Sequence, residues 1–227
     1  MKIDLRAFDL FKSCDQEVLK KVLENIQIRK EGSGVTIFNQ GDNPKNLYLI
    51  LQGSLLVTEY SEEGKTVSHE LISKGDCFGE IAIIDQLQRS ASVISMESVE
   101  LGALGLNFVR ETLLKNIHIS NYFLFKFAGI IRKMNKNVFN LITASAKKRL
   151  LFQILHLSEN KNNTQDKKIL DKSLSHSDLA SFAGLSRETV SRIITELKSE
   201  GYLSTTKFGE IELDIVKTSQ DIFEKMK

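Results

Sequence analysis

Residues 174–203 read LSHSDLASFAGLSRETVSRIITELKSEGYL, a pattern that predicts two helices joined by a tight glycine turn. Ser175 precedes an apolar-periodic run and has Asp178 three residues later, an arrangement typical of a helix N-cap. Gly184 tolerates the positive φ with which many helices end, and Ser186 caps the second helix. The apolar positions of that second helix fall at helical spacing and are Val190, Ile193, Ile194 and Leu197.

The second helix opens with Arg187 and Glu188, and Arg192 follows about one turn later. From such positions a helix in the DNA major groove can present guanidinium groups to guanine and a carboxylate to cytosine. Residues 207–213 then predict a small hairpin, or wing, with Gly209 at its tip. The alternative is an ordinary helical hairpin whose charges are only solvated. The order of caps, turn, charged residues and wing favours DNA recognition.

The stretch SRETVSR, which begins at Ser186, is similar to the start of the recognition helix in the Crp/Fnr family of transcription regulators. The resemblance implies a homodimer on a palindromic operator in double-stranded DNA with TGTGA-like half-sites, and RNA polymerase as a partner. It also implies that Arg187 and Arg192 contact guanine and that Glu188 accepts a hydrogen bond from cytosine. Ser186 and Thr189 would contact phosphates, which position the protein but carry no sequence information.

The composition, 41% hydrophobic over 227 residues, is typical of a soluble protein with room for two small domains. The net charge of +2 is small, so affinity for DNA must come from local clusters and from pairing two subunits. One cluster is the recognition helix with Lys198; the other, residues 147–149, is either a solvated helix turn or a DNA-backbone contact. No apolar run approaches the ~18 residues that span a bilayer, and the N-terminus lacks a signal-peptide cleavage site. We therefore expect a cytoplasmic protein without a membrane partner.

Cys14 and Cys77 are the only cysteines, too few for a disulfide framework or an iron–sulfur cluster. Neither Cys77 nor His69 has the sequence context of a haem ligand. We therefore expect no metal, haem or iron–sulfur cofactor. The sequence also has no metal-ligand cluster, no nucleophile with an adjacent histidine base and no P-loop, so we expect no enzymatic activity.

The N-terminal half predicts an antiparallel β domain. Gly41, Gly53, Gly64 and Gly75 recur at steps of 12, 11 and 11 residues, with alternating apolar residues between them. The segment SEEGK at residues 61–65 predicts a hairpin tip. The spacing alone is compatible with any small barrel or sandwich.

Residues 78–93, FGEIAIIDQLQRSASV, narrow the choice among these β architectures. Gly79 opens a short apolar helix whose free N–H groups attract an anion. Arg89 and Ser90 follow it with a guanidinium and a hydroxyl suited to the same phosphate. Glu80 would repel a phosphate but suits a ribose 2′-hydroxyl. Taken singly, each residue is better explained as a helix-dipole partner, a surface charge or a strand filler.

Together these residues resemble the phosphate-binding cassette of cyclic-nucleotide-binding domains. The resemblance implies that Arg89, Ser90 and the backbone from Gly79 to Ile81 bind phosphate, and that Glu80 binds ribose. The spacing from Glu80 to Arg89 is one residue shorter than in a cyclic-AMP-binding member of the family. Cyclic AMP is the expected effector, while cyclic GMP, a cyclic dinucleotide or no nucleotide at all stay open.

A long helix is predicted from about Ser120 to Leu141, because neither proline nor a capping residue interrupts it. An apolar stripe along it has the spacing of a coiled-coil seam and comprises Phe123, Phe127, Ile130, Met134 and Leu141. Such stripes are common in ordinary cores, but this one connects two domains, and a palindromic target needs a two-fold dimer. The resemblance also places Met134 and Asn135 where adenine is recognised across the dimer.

We therefore predict an α+β protein with three parts. Residues 1–115 form a cyclic-nucleotide-binding-like β-roll, residues 116–142 a dimerisation helix, and residues 143–227 a winged helix-turn-helix. The effector would favour one arrangement of a hinge at residues 143–147 and so place two recognition helices about one DNA turn apart. Residues 159–172 are predicted to be a solvated connector.

Overall fold

The computed structural model describes residues 3–61, 63, 65–158, 167–170, 174–206 and 210–218. The chain divides into two compact units, Met1–Met134 and Asn135–Lys227. This division falls inside one long helix, and the three-part division expected from the sequence stays a prediction.

The first unit consists of antiparallel strands with short helices before and after them. Two 3-10 turns, Leu5–Ala7 and Asp9–Phe11, precede helix α1, Gln16–Asn25. The strands are β1 Ile26–Glu31, β2 Thr36–Phe38, β3 Asn46–Gln52, β4 Ser54–Tyr60, β5 Thr66–Ser73, β6 Cys77–Phe78, β7 Ser92–Ser95 and β8 Val99–Gly105. The other helices are α2 Glu80–Ile84, between β6 and β7, and α3 Leu106–Phe108, which continues into a π-helical turn at Val109–Leu113.

The strands form two four-stranded sheets, in the orders β1-β8-β3-β6 and β2-β7-β4-β5. Every pair of neighbouring strands in the two sheets is antiparallel. This confirms the predicted antiparallel β-roll. Strands β4 and β5 form a hairpin with Tyr60 opposite Thr66, as the segment at 61–65 predicted, although residues 62 and 64 lie outside the described residues.

Strand β3 is buried on both faces. Leu47 and Leu49 belong to the core that the N-terminal helices cover, whereas Tyr48 and Ile50 belong to the core formed by side chains of both sheets. Successive side chains of a strand point to opposite faces, so one strand supplies both cores. Burial of each large apolar side chain contributes about 1.5–3 kcal/mol before entropy is counted.

The turn between β3 and β4 requires glycine. Gly53 has a φ of +87°, in the left-handed region that side chains disfavour. A Cβ at this position would lie 2.7 Å from the carbonyl oxygen of Ser98. Gly41 and Gly75 also have positive φ, while Gly64 lies outside the described residues. The three glycines of this series that the structure describes therefore mark turns, as their spacing predicted.

Helix α4 covers Ile117–Thr143 and is longer than predicted at both ends. The predicted apolar stripe is wrong at Phe123, which is 3% exposed and packs in the core of the first unit, because the first turns of α4 cover the β-roll. Phe127 packs partly against the same core. Met134 and Leu141 of the predicted stripe are exposed, and together with Leu124, Ile131 and Val138 they follow the spacing of a coiled-coil seam.

The second unit combines three helices with a small antiparallel sheet. The helices are α5 Ala146–Leu157, α6 His176–Ala183 and α7 Arg187–Ser199. The strands are β9 Lys167–Ile169, β10 Leu203–Thr205 and β11 Ile211–Asp214, in the order β10-β11-β9. Strand β9 corrects the prediction that residues 159–172 form only a connector. Ile169 pairs with Glu212 of β11, a distant partner that the local pattern does not reveal. Residues 159–166 and 171–173 lie outside the described residues.

The predicted helix-turn-helix is confirmed together with its caps. The Asp178 N–H donates to Ser175 Oγ at 3.2 Å, and the Ser175 N–H donates to the Asp178 carboxylate at 2.8 Å. These two bonds form a capping box at the start of α6. Gly184 ends α6 with a φ of +61°. Strands β10 and β11 pair as a wing, but its predicted tip at Gly209 lies outside the described residues.

Within the part of the chain that the structure describes, we find no helix with the length and apolar character that a membrane span requires.

Candidate anion site and nucleic-acid interface

Gly79 stands where β6 meets α2 and permits a close approach of Arg89. Its φ of +82° lies in the left-handed region, and it precedes Glu80, the first residue of α2. A Cβ at this position would lie 2.6 Å from Arg89 Nη1. A side chain here would displace the guanidinium, so glycine at 79 brings the first turn of α2 and the arginine together.

The guanidinium of Arg89 is buried inside the β-roll, with 4% of the residue exposed. Nη1 donates to the carbonyl oxygen of Gly79 at 2.6 Å, and Nη2 donates to that of Asn46 at 2.7 Å. The guanidinium carbon lies 4.1 Å from the centroid of the Phe38 ring. Nε is buried and has no hydrogen-bond partner among the described residues. Burial lowers the pKa of Arg89. The β-roll therefore holds a desolvated cation with one N–H that an anionic oxygen could satisfy.

Glu80 is 5% exposed, and its carboxylate is paired with a lysine of α4. Lys126 Nζ lies 2.7 Å from Glu80 Oε1 and donates to the carbonyl oxygen of Cys77 at 2.7 Å. Burial opposes the charge on Lys126, but the neighbouring Cys77 and Glu80 raise its pKa overall. Sequence reasoning missed Lys126, because a lysine in a long helix carries no local signal of a buried carboxylate partner.

The other residues of the predicted nucleotide site lie at the surface. Ser90 is exposed next to Arg89, and Ile81 is 39% exposed on α2. Met134 and Asn135 have exposed side chains on α4. The structure thus brings together Gly79, Glu80 and Arg89, while the proposed contacts of the other four residues stay a prediction.

Cys77 is buried beside this site. Its Sγ lies 3.8 Å from the Tyr122 hydroxyl and 3.8 Å from Lys126 Nζ. Burial raises the pKa of the Cys77 thiol to about 11, so the thiol is protonated at neutral pH. Among the described residues, no group of three or more His, Cys, Asp and Glu side chains could hold a metal ion.

Helix α7 is amphipathic, with one face in the core and the other exposed. Val190, Ile193, Ile194 and Leu197 are buried, as their spacing predicted. Ser186 Oγ accepts a hydrogen bond from the Thr189 N–H at 3.2 Å and lies 3.0 Å from the Thr189 hydroxyl. The predicted readers Arg187, Glu188 and Arg192 are all exposed.

The exposed face of α7 borders a concave surface, which six residues line: His176, Arg187, Glu188, Ser191, Arg192 and Thr195. Hydrogen bonds from its own backbone N–H and from the Ser186 hydroxyl lower the pKa of Glu188, so this carboxylate is ionised at neutral pH. Sequence reasoning missed Ser191 and Thr195, although both follow Arg187 at steps of four residues. It also missed His176, which comes from α6 and has no local signal.

Two family models match the chain, one in each unit. The cyclic nucleotide-binding domain model matches residues 29–116 and so includes the Gly79 and Arg89 segment. The Crp-like helix-turn-helix domain model matches residues 148–216, which include α6, α7 and the wing strands.

Known proteins resemble the chain over most of its length. The cyclic AMP receptor protein of Thermus thermophilus is 30% identical over 209 residues, covering 87% of this chain and 88% of that protein. The crystal structure of a CRP/FNR-family transcriptional regulator from the same species is 28% identical, with a TM-score of 0.66, and covers 87% of this chain and 98% of that one. The c-di-GMP-responsive global regulator of Xanthomonas campestris has a TM-score of 0.71 at 18% identity, covering 88% of this chain and 99% of that one, and so shares the fold.

Proposed function

Since the chain belongs to the Crp/Fnr family of transcription regulators, we propose that it acts as a homodimer whose affinity for operator DNA is set by cyclic AMP bound in the β-roll. It is a DNA-binding regulator with a cyclic nucleotide-binding domain, and the members of its family are regulators and not enzymes. The proposal concerns its effector, its subunit number and its operator.

The buried guanidinium of Arg89 is the observation that carries the proposal. Its Nε lacks a partner among the described residues, and the guanidinium lies directly beside Gly79. The cyclic phosphate would accept hydrogen bonds from Arg89 and from the free N–H groups of α2. The exposed Ser90 hydroxyl would donate a further bond. Nη1 and Nη2 each bond to one carbonyl oxygen, and the second N–H of each nitrogen would also be available to the phosphate.

Glu80 would bind the ribose. Lys126 engages Oε1, and a carboxylate has a second oxygen that can accept a hydrogen bond from a 2′-hydroxyl. The ion pair with Lys126 orients this buried carboxylate. A ligand bound to Glu80 would in this way be linked to α4.

Adenine would contact Met134 and Asn135 of α4 from the partner subunit. The Asn135 amide can both donate to and accept from a base edge, whereas Met134 offers only packing. Cyclic GMP or a cyclic dinucleotide would fit the same phosphate and ribose contacts, so the choice of base is the least constrained part of the proposal.

Helix α7 would lie in the major groove of each half-site. Arg187 and Arg192 would bond to guanine, and Glu188 would accept from cytosine in a TGTGA-like sequence. Ser186, Thr189 and the half-exposed His176 would lie towards the phosphates. RNA polymerase is the expected partner at the promoter.

We expect cyclic AMP to strengthen operator binding by the full-length wild-type protein by about 5–150-fold, which corresponds to a coupling of about 1–3 kcal/mol. The same factor must appear in reverse, since linkage requires the operator to tighten cyclic AMP binding equally. Fluorescence anisotropy on a duplex selected by the protein from a random-sequence pool, with calorimetry for the nucleotide, measures both. Titrations with cyclic GMP and cyclic di-GMP compare the alternative effectors. Tight operator binding without heat from any nucleotide would identify a nucleotide-independent regulator.

Arg192→Ala should weaken binding to the selected duplex by roughly 1–3 kcal/mol and relax the choice of base at one position per half-site. The reason is loss of a guanidinium that contacts a guanine edge. Binding to duplexes with each of the four bases at that position measures the effect. An equal loss on all four duplexes would mean that Arg192 contacts only phosphate.

A further inference from the structure

The basic segment at residues 147–149 follows the junction at which α4 ends. Ser145 caps α5 by accepting a hydrogen bond from the Lys148 N–H at 3.4 Å, and Lys147 lies in the first turn of the helix. The sequence left open whether this segment is solvated or contacts the DNA backbone. The contacts of Lys147 favour a third role.

Two carboxylates of the recognition helix α7 bind the ammonium of Lys147. Its Nζ lies 2.8 Å from Glu196 Oε1 and 2.5 Å from Glu200 Oε2. The two acids are one helical turn apart, so a single cation bridges both. The Lys147 side chain is 29% exposed, which withdraws part of it from water. The ammonium is thus already neutralised from within the protein, unlike that of a lysine that contacts a phosphate.

Both Lys147 and Glu200 lie at helix ends where the helix dipole disfavours their charge. Lys147 places a positive charge at the positive end of α5, and Glu200 places a negative charge at the negative end of α7. Each charge is unfavourable for its own helix, since the opposite sign stabilises each of these ends. Paired with each other, they join the start of α5 to the end of α7.

A second lysine fixes the same end of α7. Lys217 Nζ donates to the backbone oxygen of Glu200. The ammonium groups of Lys147 and Lys217 lie 5.9 Å and 4.9 Å from the centroid of the Tyr202 ring. The end of the recognition helix is therefore held by two cations and one aromatic ring, which we call the Lys147 clamp.

The clamp lies at the end of α7, whereas Arg187, the first of the base-reading residues, lies at the start of the same helix. Arg187 precedes Glu200 by 13 residues, or about 20 Å at the helical rise. A tilt of about 10° at the clamped end would move Arg187 by about 3 Å, comparable to the length of a hydrogen bond. Base readout therefore depends on the direction that the clamp gives to α7.

We propose that Lys147 is a positioning residue for the recognition helix and makes no DNA contact. The proposal rests on the proposed base readout by Arg187, Glu188 and Arg192. It assigns to the Glu196 and Glu200 carboxylates a favourable effect on DNA binding, although their charge repels DNA.

The test uses the full-length protein with two probes, a duplex selected by the wild type from a random-sequence pool and a scrambled duplex of equal length. Lys147→Met should bind the selected duplex about fivefold more weakly, as expected for partly exposed ion pairs, and bind the scrambled duplex as the wild type does. The slope of log affinity against log salt should not change, since no phosphate contact is lost. Lys147→Arg should restore wild-type affinity. Lys148→Met, which removes a charge from the same turn, should leave the ratio of the two affinities unchanged.

Removing the acids provides the second arm. If Glu196 and Glu200 only repel phosphate, Glu196→Gln with Glu200→Gln should strengthen binding to both duplexes. The clamp instead predicts weaker binding to the selected duplex, with no further loss when Lys147→Met is added. Thermal unfolding shows whether each variant is folded. If Lys147→Met does not fold, the acid variant still tests the clamp, because it retains Lys147.

Two outcomes would overturn the proposal. A salt slope that falls by about 0.9 for each Lys147 removed, with equal losses on both duplexes, would make Lys147 a phosphate contact. If Lys147→Met and the acid variant both bind the selected duplex as tightly as the wild type does, the clamp has no function in DNA binding. A wild-type protein that selects no sequence from the pool would instead overturn the proposed base readout.

Discussion

Replacing Arg89 by alanine is expected to weaken cyclic AMP binding by at least about 30-fold. The guanidinium is buried beside Gly79, and removing one partner of a buried hydrogen-bonded charge pair costs roughly 2–5 kcal/mol. Isothermal titration calorimetry on the full-length protein measures the loss. The gain in operator affinity should disappear at cyclic AMP concentrations that saturate the wild type, because the pocket of the variant stays empty there.

Arg89 also bonds to the carbonyl oxygens of Gly79 and Asn46, so this variant needs a measure of its folding. Thermal unfolding reports on the folding of the β-roll, and Ser90→Ala gives an independent test, since the exposed Ser90 hydroxyl can be removed without a cavity. We expect Ser90→Ala to lose about two- to tenfold in affinity, the net value of one typical hydrogen bond. Arg29→Ala, at an exposed arginine of β1, is the matched control and should bind normally. A folded Arg89→Ala protein with wild-type affinity would place the phosphate elsewhere.

Combining Ile131→Asp with Val138→Asp is expected to give a monomer that binds the operator at least about 100-fold more weakly. These side chains are 58% and 55% exposed on the apolar face of α4, and two carboxylates per subunit would oppose burial of that face. A monomer binds one half-site at a time. It loses the high effective concentration that a bound subunit gives its partner, and this lowers the affinity for the operator by about 10²–10⁴-fold. Sedimentation equilibrium measures the subunit number, and anisotropy measures the affinity.

Arg132→Asp is the control for the seam, because residue 132 is exposed on α4 next to Ile131 but outside the apolar stripe. It introduces the same carboxylate and should leave the dimer intact. A double variant that still sediments as a dimer would place the interface on another surface. Ile130, part of the stripe expected from sequence, is a poorer target, because it is half-buried within the subunit and its replacement would also disturb the fold.

The parts of the molecule that the sequence predicted well are those whose signals are local. Ser175 and Ser186 satisfy backbone N–H groups within three residues of themselves, and Gly184 ends α6 by its own conformation. Gly53 and Gly79 likewise occur where the backbone has a positive φ. Helical spacing placed Val190, Ile193, Ile194 and Leu197 on one face, which the structure buries.

Where the prediction went wrong, the outcome depended on which face of an element meets which neighbour. Spacing alone allowed either Phe123 or Leu124 to begin a seam on α4, and packing of the β-roll against the first turns of this helix buried Phe123. Strand β9 was read as a connector because three residues have little pattern of their own and pair only with a distant strand.

By itself the sequence determined the caps, turns and periodicity, and with them an antiparallel β domain, the long helix and the helix-turn-helix, because such preferences act over a few neighbouring residues. Only the tertiary structure decided that Lys126 pairs with Glu80 and that Lys147 joins Glu196 and Glu200. These partners are 46 or more positions apart along the chain, and a long flexible side chain gives no local sign of the charge that it will meet. Such pairs form only after the packing of apolar faces has brought their elements together.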